Sequence, residues 1–179
     1  MKKIYLILLL ICSVSINAQN KDYIITNELD TIYGKVKRAN FGILKFKKGE
    51  TIIKYITIED KITEYYSSGK AQLFEVVKTP KEMGVNSEKI FMLKIVNGKI
   101  KLFANYTQSG NSYFISKDNS NLEYLYGGWH LKLKTNSSKI LRKYISDNEK
   151  VLKKFNEFVL SKPKHDEILE FINEYNDSK

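Results

Sequence analysis

The stretch that decides the fold is Ile90-Phe91-Met92-Leu93-Lys94-Ile95-Val96-Asn97-Gly98-Lys99-Ile100-Lys101-Leu102-Phe103-Ala104-Asn105-Tyr106. Two runs rich in apolar, β-branched and aromatic residues flank an Asn-Gly pair. Asn-Gly supplies both positive-φ residues of a type I′ turn, whose twist matches that of paired strands. The spacing therefore predicts a β-hairpin of residues 90–96 with 99–106, preceded by a loop over 80–86.

Outward from the hairpin the same signal recurs. Toward the N-terminus, residues 23–26, 31–37, 41–46, 51–58, 62–66 and 72–77 are short β-rich runs, separated by turn-like groups such as Lys48-Gly49, Glu59-Asp60 and Ser67-Ser68-Gly69. Toward the C-terminus, 112–116 and 122–126 add two more, with Asp118-Asn119-Ser120-Asn121 as the turn between them, and Gly127-Gly128 closes the series. Strands at intervals of about 8–12 residues indicate an antiparallel meander forming a curled sheet, a sandwich or a barrel-like closure.

Beyond Gly128 the apolar period changes from two to about 3.6. Ile140, Leu141, Tyr144 and Ile145 share one helical face, and Val151, Leu152 and Phe155 continue the stripe. Between them, Ser146-Asp147-Asn148-Glu149 matches a capping box with Ser146 as N-cap. Lys162-Pro163 interrupts the chain. Ile168, Phe171, Ile172 and Tyr175 then mark a last amphipathic helix, acidic at its start through Asp166 and Glu167. Short helices with one apolar stripe are not stable alone, so two or three of them should pack on the sheet. The fold class is α+β, with an antiparallel β region over 19–128 followed by a helical region over 129–179 in the same domain.

The first 18 residues are of a different kind. Lys2 and Lys3 precede an apolar run over 4–16, and Asn17-Ala18 follows before charge returns at Lys21. That is the layout of a secretory signal peptide over 1–18 with Ala18 at the cleavage point. The run is shorter than the roughly 20 residues of a membrane-spanning helix. Cys12 lies inside the apolar stretch after Ile11, which does not fit lipid attachment. The expected mature chain has no cysteine, so thiol nucleophiles, Cys-ligated zinc and redox pairs are excluded, and no second apolar run predicts a transmembrane helix.

Charge is the obvious lure. The chain has 30 basic against 20 acidic residues, a formal charge of +10, yet Arg38 and Arg142 are the only arginines. Bidentate recognition of phosphates and bases favours Arg, which argues against nucleic acid as a partner. Basic residues outnumber acidic ones by 17 to 12 over 19–128 and by 11 to 8 over 129–179, so the excess is spread along the chain. Lys45, Lys47 and Lys48 form the densest strand group and Lys153-Lys154 the helical one. Dispersed strand lysines read as a solvated face with a weak pull toward anionic envelope polymers or lipid headgroups.

Catalytic chemistry finds little footing. His130 and His165 stand 35 residues apart and belong to no ligand cluster, so no metal site is expected, and His165 reads as part of a solvated helix start. There is no G-x-S-x-G elbow, phosphate loop or dinucleotide fingerprint, hence no expected cofactor and no assigned catalytic residue. Glu28, Asp30, Glu59, Asp60 and Glu64 are the acids open to a carboxylate-based hydrolase, each at a turn or on a solvent face. Trp129 and His130, beside Gly127-Gly128, are the candidate binding residues, because Trp offers a large rigid contact area; the plainer role for Trp129 is to plug the junction of sheet and helices. The strand tyrosines, among them Tyr55, Tyr65, Tyr66, Tyr106, Tyr113, Tyr124 and Tyr126, read as cross-strand packing before a sugar- or peptide-contacting row.

Asn17-Ala18-Gln19, then Tyr23-Ile24-Ile25-Thr26-Asn27 and Asp30-Thr31-Ile32-Tyr33-Gly34-Lys35-Val36, resemble the start of many uncharacterised exported proteins of Bacteroidota-type bacteria, and residues 140–155 and 168–176 are similar to the helical ends of that group. The resemblance implies export in a diderm bacterium, to the periplasm or the outer surface, and brings no activity and no site residues. The expectation is a non-enzymatic exported protein that binds or has a structural role in the cell envelope. The alternatives are a carboxylate-based hydrolase and a Lys-driven binder of anionic envelope surfaces.

Overall fold

In the computed structural model, residues 21–40, 42–107, 110–127, 135–159 and 164–178 are described. The expected signal peptide and Cys12 lie outside them. The described residues form ten strands followed by three helices, an α+β protein whose β meander comes first. Two compact units divide the chain, one ending at Leu73 and the other beginning at Phe74.

The first unit holds β1 (Asp22–Thr26), β2 (Thr31–Ala39), β3 (Ile43–Lys48), β4 (Thr51–Ile56) and β5 (Ile62–Ser67). Their order in the sheet is β5-β1-β2-β3-β4, with every neighbouring pair antiparallel. Alternation along these strands assigns the two faces. Ile24, Leu44, Phe46, Tyr55, Ile62 and Tyr65 are buried, while β2 reads exposed at Thr31, Tyr33, Lys35 and Lys37. Gly34 is required where β2 meets β3. A Cβ there would come within 2.3 Å of the Lys47 carbonyl oxygen and 2.5 Å of the Phe46 ring.

Asp22 pins this unit from inside. Its carboxylate accepts hydrogen bonds from the Val36 N–H at 2.6 Å, the Ser68 N–H at 2.7 Å and the Ser68 hydroxyl at 2.6 Å, tying β1 to β2 and to the end of β5. Burial works to raise the Asp22 pKa. The hydrogen bonds, led by that from the Ser68 hydroxyl, outweigh it and hold the pKa below the usual carboxylate value.

The second unit contains most of β6 (Gln72–Lys78), then β7 (Lys89–Val96), β8 (Ile100–Thr107), β9 (Gly110–Lys117), β10 (Glu123–Gly127) and the helices α1 (Thr135–Ile145), α2 (Glu149–Val159) and α3 (His165–Asp177). The strands follow one another in the order β10-β9-β8-β7-β6, a simple antiparallel meander. One face of this sheet, through Leu93, Leu102, Ala104, Tyr113 and Ile115, packs on Leu141, Tyr144, Val151, Phe155, Ile168, Phe171 and Ile172 of the helices. Each fully buried Leu, Ile or Phe contributes about 1.5–3 kcal/mol, which is why these three helices persist although none would alone. The apolar helical stripes expected from sequence are the ones that dock.

Two local expectations are corrected. The hairpin of β7 with β8 exists, but its turn is not type I′: of Asn97 and Gly98 only Gly98 has positive φ, and the register shifts between Lys94 and Val96. The cause lies in α3. The Asn176 amide accepts from the Ile100 N–H and donates to the Ile100 carbonyl, both at 2.9 Å, so it occupies the backbone groups that open β8. Two consecutive left-handed residues occur instead at Asp118 and Asn119, where the Ser120 N–H bonds to the Lys117 carbonyl at 2.9 Å. Second, α2 is capped by Asn148, whose side-chain oxygen accepts from the Val151 N–H at 3.1 Å. Ser146 instead donates to the Lys143 carbonyl at the end of α1. A cap bonds to the N–H two or three residues on, and the helix begins at Glu149, which leaves Ser146 two residues too early.

Candidate functional site

Strand register builds a basic face on the first unit. Lys35 of β2 stands opposite Lys47 of β3, which stands opposite Ile52 of β4. The next row places Arg38 opposite Lys45 and Lys45 opposite Lys54. A register shift between Val36 and Arg38 leaves Lys37 as the extra residue, exposed beside Arg38. Six basic residues are thus gathered on three adjacent strands. Strands lie about 4.8 Å apart and successive same-face residues about 6.8 Å apart, so the charges form a grid of that pitch.

Directly opposed like charges weaken a sheet, since cross-strand pairs are the unit of its stabilisation. A fold optimised only for stability would alternate signs here. The one ion pair with a member of the grid, among the described residues, is Lys47 with Glu50 at 3.1 Å, and the Glu50 side chain is 98% exposed at the β3–β4 turn. An aromatic row adjoins the grid. Tyr66 of β5, Tyr23 of β1 and Tyr33 of β2 are in register, with Tyr23 stacked on Tyr66 at 5.3 Å and edge-on to Tyr33 at 6.2 Å between ring centroids. Tyr33 is 56% exposed and two residues from Lys35, so the row and the grid share one face.

The sequence candidates fall as follows. Trp129 and His130 lie outside the described residues. His165 does not sit on a solvated face: its Nδ1 is hydrogen-bonded to the Tyr126 hydroxyl, and its ring packs on Tyr113 with centroids 4.6 Å apart. Burial lowers the His165 pKa, with Asp166 working the other way. Tyr55, Tyr65, Tyr113 and Tyr126 are buried, as expected of packing residues, and burial raises the pKa of each. Tyr106 and Tyr124 are exposed. Glu28 and Asp30 lie in the connection between β1 and β2, and Glu59 pairs with Lys61 at 2.9 Å. Among the described residues no group of three or more His, Cys, Asp and Glu is placed to hold a metal ion.

Asp147, which the sequence offered only as part of a cap, ties helices to sheet in the second unit. It accepts from Lys117 at 2.7 Å, from Lys99 at 3.2 Å and from the Tyr175 hydroxyl at 2.9 Å. The hydrogen bond from Lys117, followed by those from Tyr175 and Lys99, depresses its pKa strongly against the opposing effect of burial. These contacts are complete within the protein, so Asp147 serves as a fastening.

What sequence reasoning missed is the grid. Lysines that look dispersed along the chain are brought together because β2, β3 and β4 pair in a register that matches basic residue to basic residue. The available signal was Lys at alternate positions of consecutive runs, at 35 and 37 and again at 45 and 47. The chain matches no protein-family model, no curated protein and no solved structure.

Proposed function

We propose that this is an exported, non-enzymatic binding protein of the cell envelope that holds anionic polymer or headgroups on the outer face of β2, β3 and β4. The observation that carries it is the pair of rows Lys35–Lys47 and Arg38–Lys45–Lys54. Positive charges spaced more closely than the ~8 Å Debye length reinforce one another, so a polyvalent anion gains where a single small ion does not. Lysine suits such a role. Its ammonium is a point charge that accepts sulfate, phosphate or carboxylate in many geometries.

Dextran sulfate, with neutral dextran as the control, tests this directly. The purified protein should bind the sulfated polymer and not the neutral one, with affinity falling steeply as salt rises. A Lys35→Gln/Lys45→Gln/Lys54→Gln variant should weaken binding about 100-fold, on the order of 1 kcal/mol for each charge removed. Equal binding by this variant, or no binding at low salt, would refute the proposal. Turnover of a glycoside or ester substrate that vanished on replacing one of Glu28, Asp30, Glu59, Asp60 or Glu64 would favour the hydrolase instead.

A further inference from the structure

The sheet face of the second unit that does not meet the helices carries Val77, Ile90, Met92, Phe103 and Phe114 as an apolar patch. Glu75, Lys94 and Lys101 each lie two residues along a strand from a member of that patch, so they share its face. Lys101 Nζ donates to Glu75 Oε1 at 2.9 Å, and Lys94 Nζ lies 3.0 Å from Glu75 Oε2. The Lys94 contact is an ion contact without hydrogen-bond alignment, for Oε2 has no hydrogen-bond partner. All three side chains are withdrawn from water, at 17% exposure for Glu75, 4% for Lys94 and 19% for Lys101.

An apolar trio in this place would extend the patch at lower desolvation cost, so the triad is poorly explained by stability. Glu75 and Lys101 border a cavity of about 180 Å³ whose walls also include Lys78, Phe103, Ser116, Asn119 and Asn121, so its ionisable lining carries a net positive charge. The turn with left-handed Asp118 and Asn119 brings the two asparagines to that wall. The volume is below the roughly 300–1,000 Å³ of drug-sized sites, which suits a single hydroxylated ring.

We propose that this cavity binds a small hydroxylated monocarboxylate of the sugar-acid class. Lys101 has three ammonium donors and gives one to Glu75, so it can also donate to the ligand carboxylate, where the net positive lining of Glu75, Lys78 and Lys101 favours an anion. Ser116, Asn119 and Asn121 offer donors and acceptors to hydroxyl groups, and Phe103 supplies an apolar wall. A neutral sugar forgoes the charge, and an amino sugar opposes it.

The experiment is a calorimetric titration of the purified protein with D-glucuronate, run beside D-glucose and D-glucosamine. Glucuronate should bind, with glucose weaker by about ten-fold, the loss of one charge-assisted hydrogen bond, and glucosamine not detectable. Lys101→Met should raise the glucuronate Kd by about ten-fold or more. Asn121→Ala removes an exposed loop amide, keeps the sheet intact, and should raise the Kd by about three-fold or more, so it decides the matter if Lys101→Met does not fold. Absence of glucuronate binding, equal binding of glucose, or wild-type affinity in both variants would overturn the proposal. Dextran sulfate binding by the first unit does not depend on this cavity, so the two proposals fail separately.

Discussion

Lys45 is the residue where stability and the proposed binding pull in opposite directions. It faces Arg38 on one neighbouring strand and Lys54 on the other. At a separation of ~7 Å, two like unit charges repel by ~0.6 kcal/mol in water. Lys45→Gln removes both repulsions while keeping most of the side-chain stem. With screening included, the gain is about 1 kcal/mol at about 10 mM salt and about 0.1 kcal/mol at 1 M. The first figure corresponds to a rise in Tm of about 2–4 °C for a protein of this size. Urea denaturation of wild type and variant at both salt concentrations is the assay, because any difference in strand propensity between Lys and Gln is independent of salt and cancels. The variant should be more stable at low salt, the difference should close at high salt, and affinity for dextran sulfate should fall. A variant less stable than wild type at low salt, or a difference unchanged by salt, would refute the view that the grid is a set of mutually repelling charges.

Two further perturbations address what holds the first unit together. Asp22→Ala leaves the half-buried N–H groups of Val36 and Ser68 without their acceptor, at about 1 kcal/mol or more each, measured by chemical denaturation at neutral pH. Because the Asp22 pKa is depressed in the folded state, its contribution is present above the unfolded value of about 3.9 and is lost as pH falls below that toward the folded value. The gap between wild type and variant should therefore narrow in acid, and a gap that widened there would contradict the hydrogen-bonding account. Gly34→Ala drives a methyl group into the Lys47 carbonyl and the Phe46 ring, and should cost about 1–3 kcal/mol or more, read as a lowered urea midpoint. Wild-type stability would mean that β2 and β3 approach less closely than described.

The order of strands and helices was legible from periodicity because each element has one buried face, and burial writes itself into the sequence at a period of two or 3.6. The stripe from Ile140 to Phe155 and the one from Ile168 to Tyr175 are the faces that dock. Local chemistry was less reliable wherever another residue claimed the same role. Asn97-Gly98 has the composition of a type I′ turn, but Asn176 claims the backbone groups of Ile100 and reshapes the loop. Ser146 has the right type for a cap, yet Asn148 stands where the helix begins. The candidate sites were the least legible. A grid of cations depends on which strand lies beside which and in what register. The pairing of Glu75 with Lys101 spans 26 positions. Neither relation is carried by any single run of residues.

The Asn176 clamp also bears on the order in which the second unit can be completed. Ile100 and Asn176 are separated by 76 positions. A chain that emerges N-terminus first presents β7, β8 and β9 well before α3 exists, so the opening residue of β8 must wait with its N–H and carbonyl served by water. The hairpin end would form last, after the helices have closed on the sheet. That makes the final turn of α3 a seal on the unit, with consequences for any process that engages the chain while it is still incomplete: until the seal is set, one N–H and one carbonyl at the start of β8 stay open to water or to another partner.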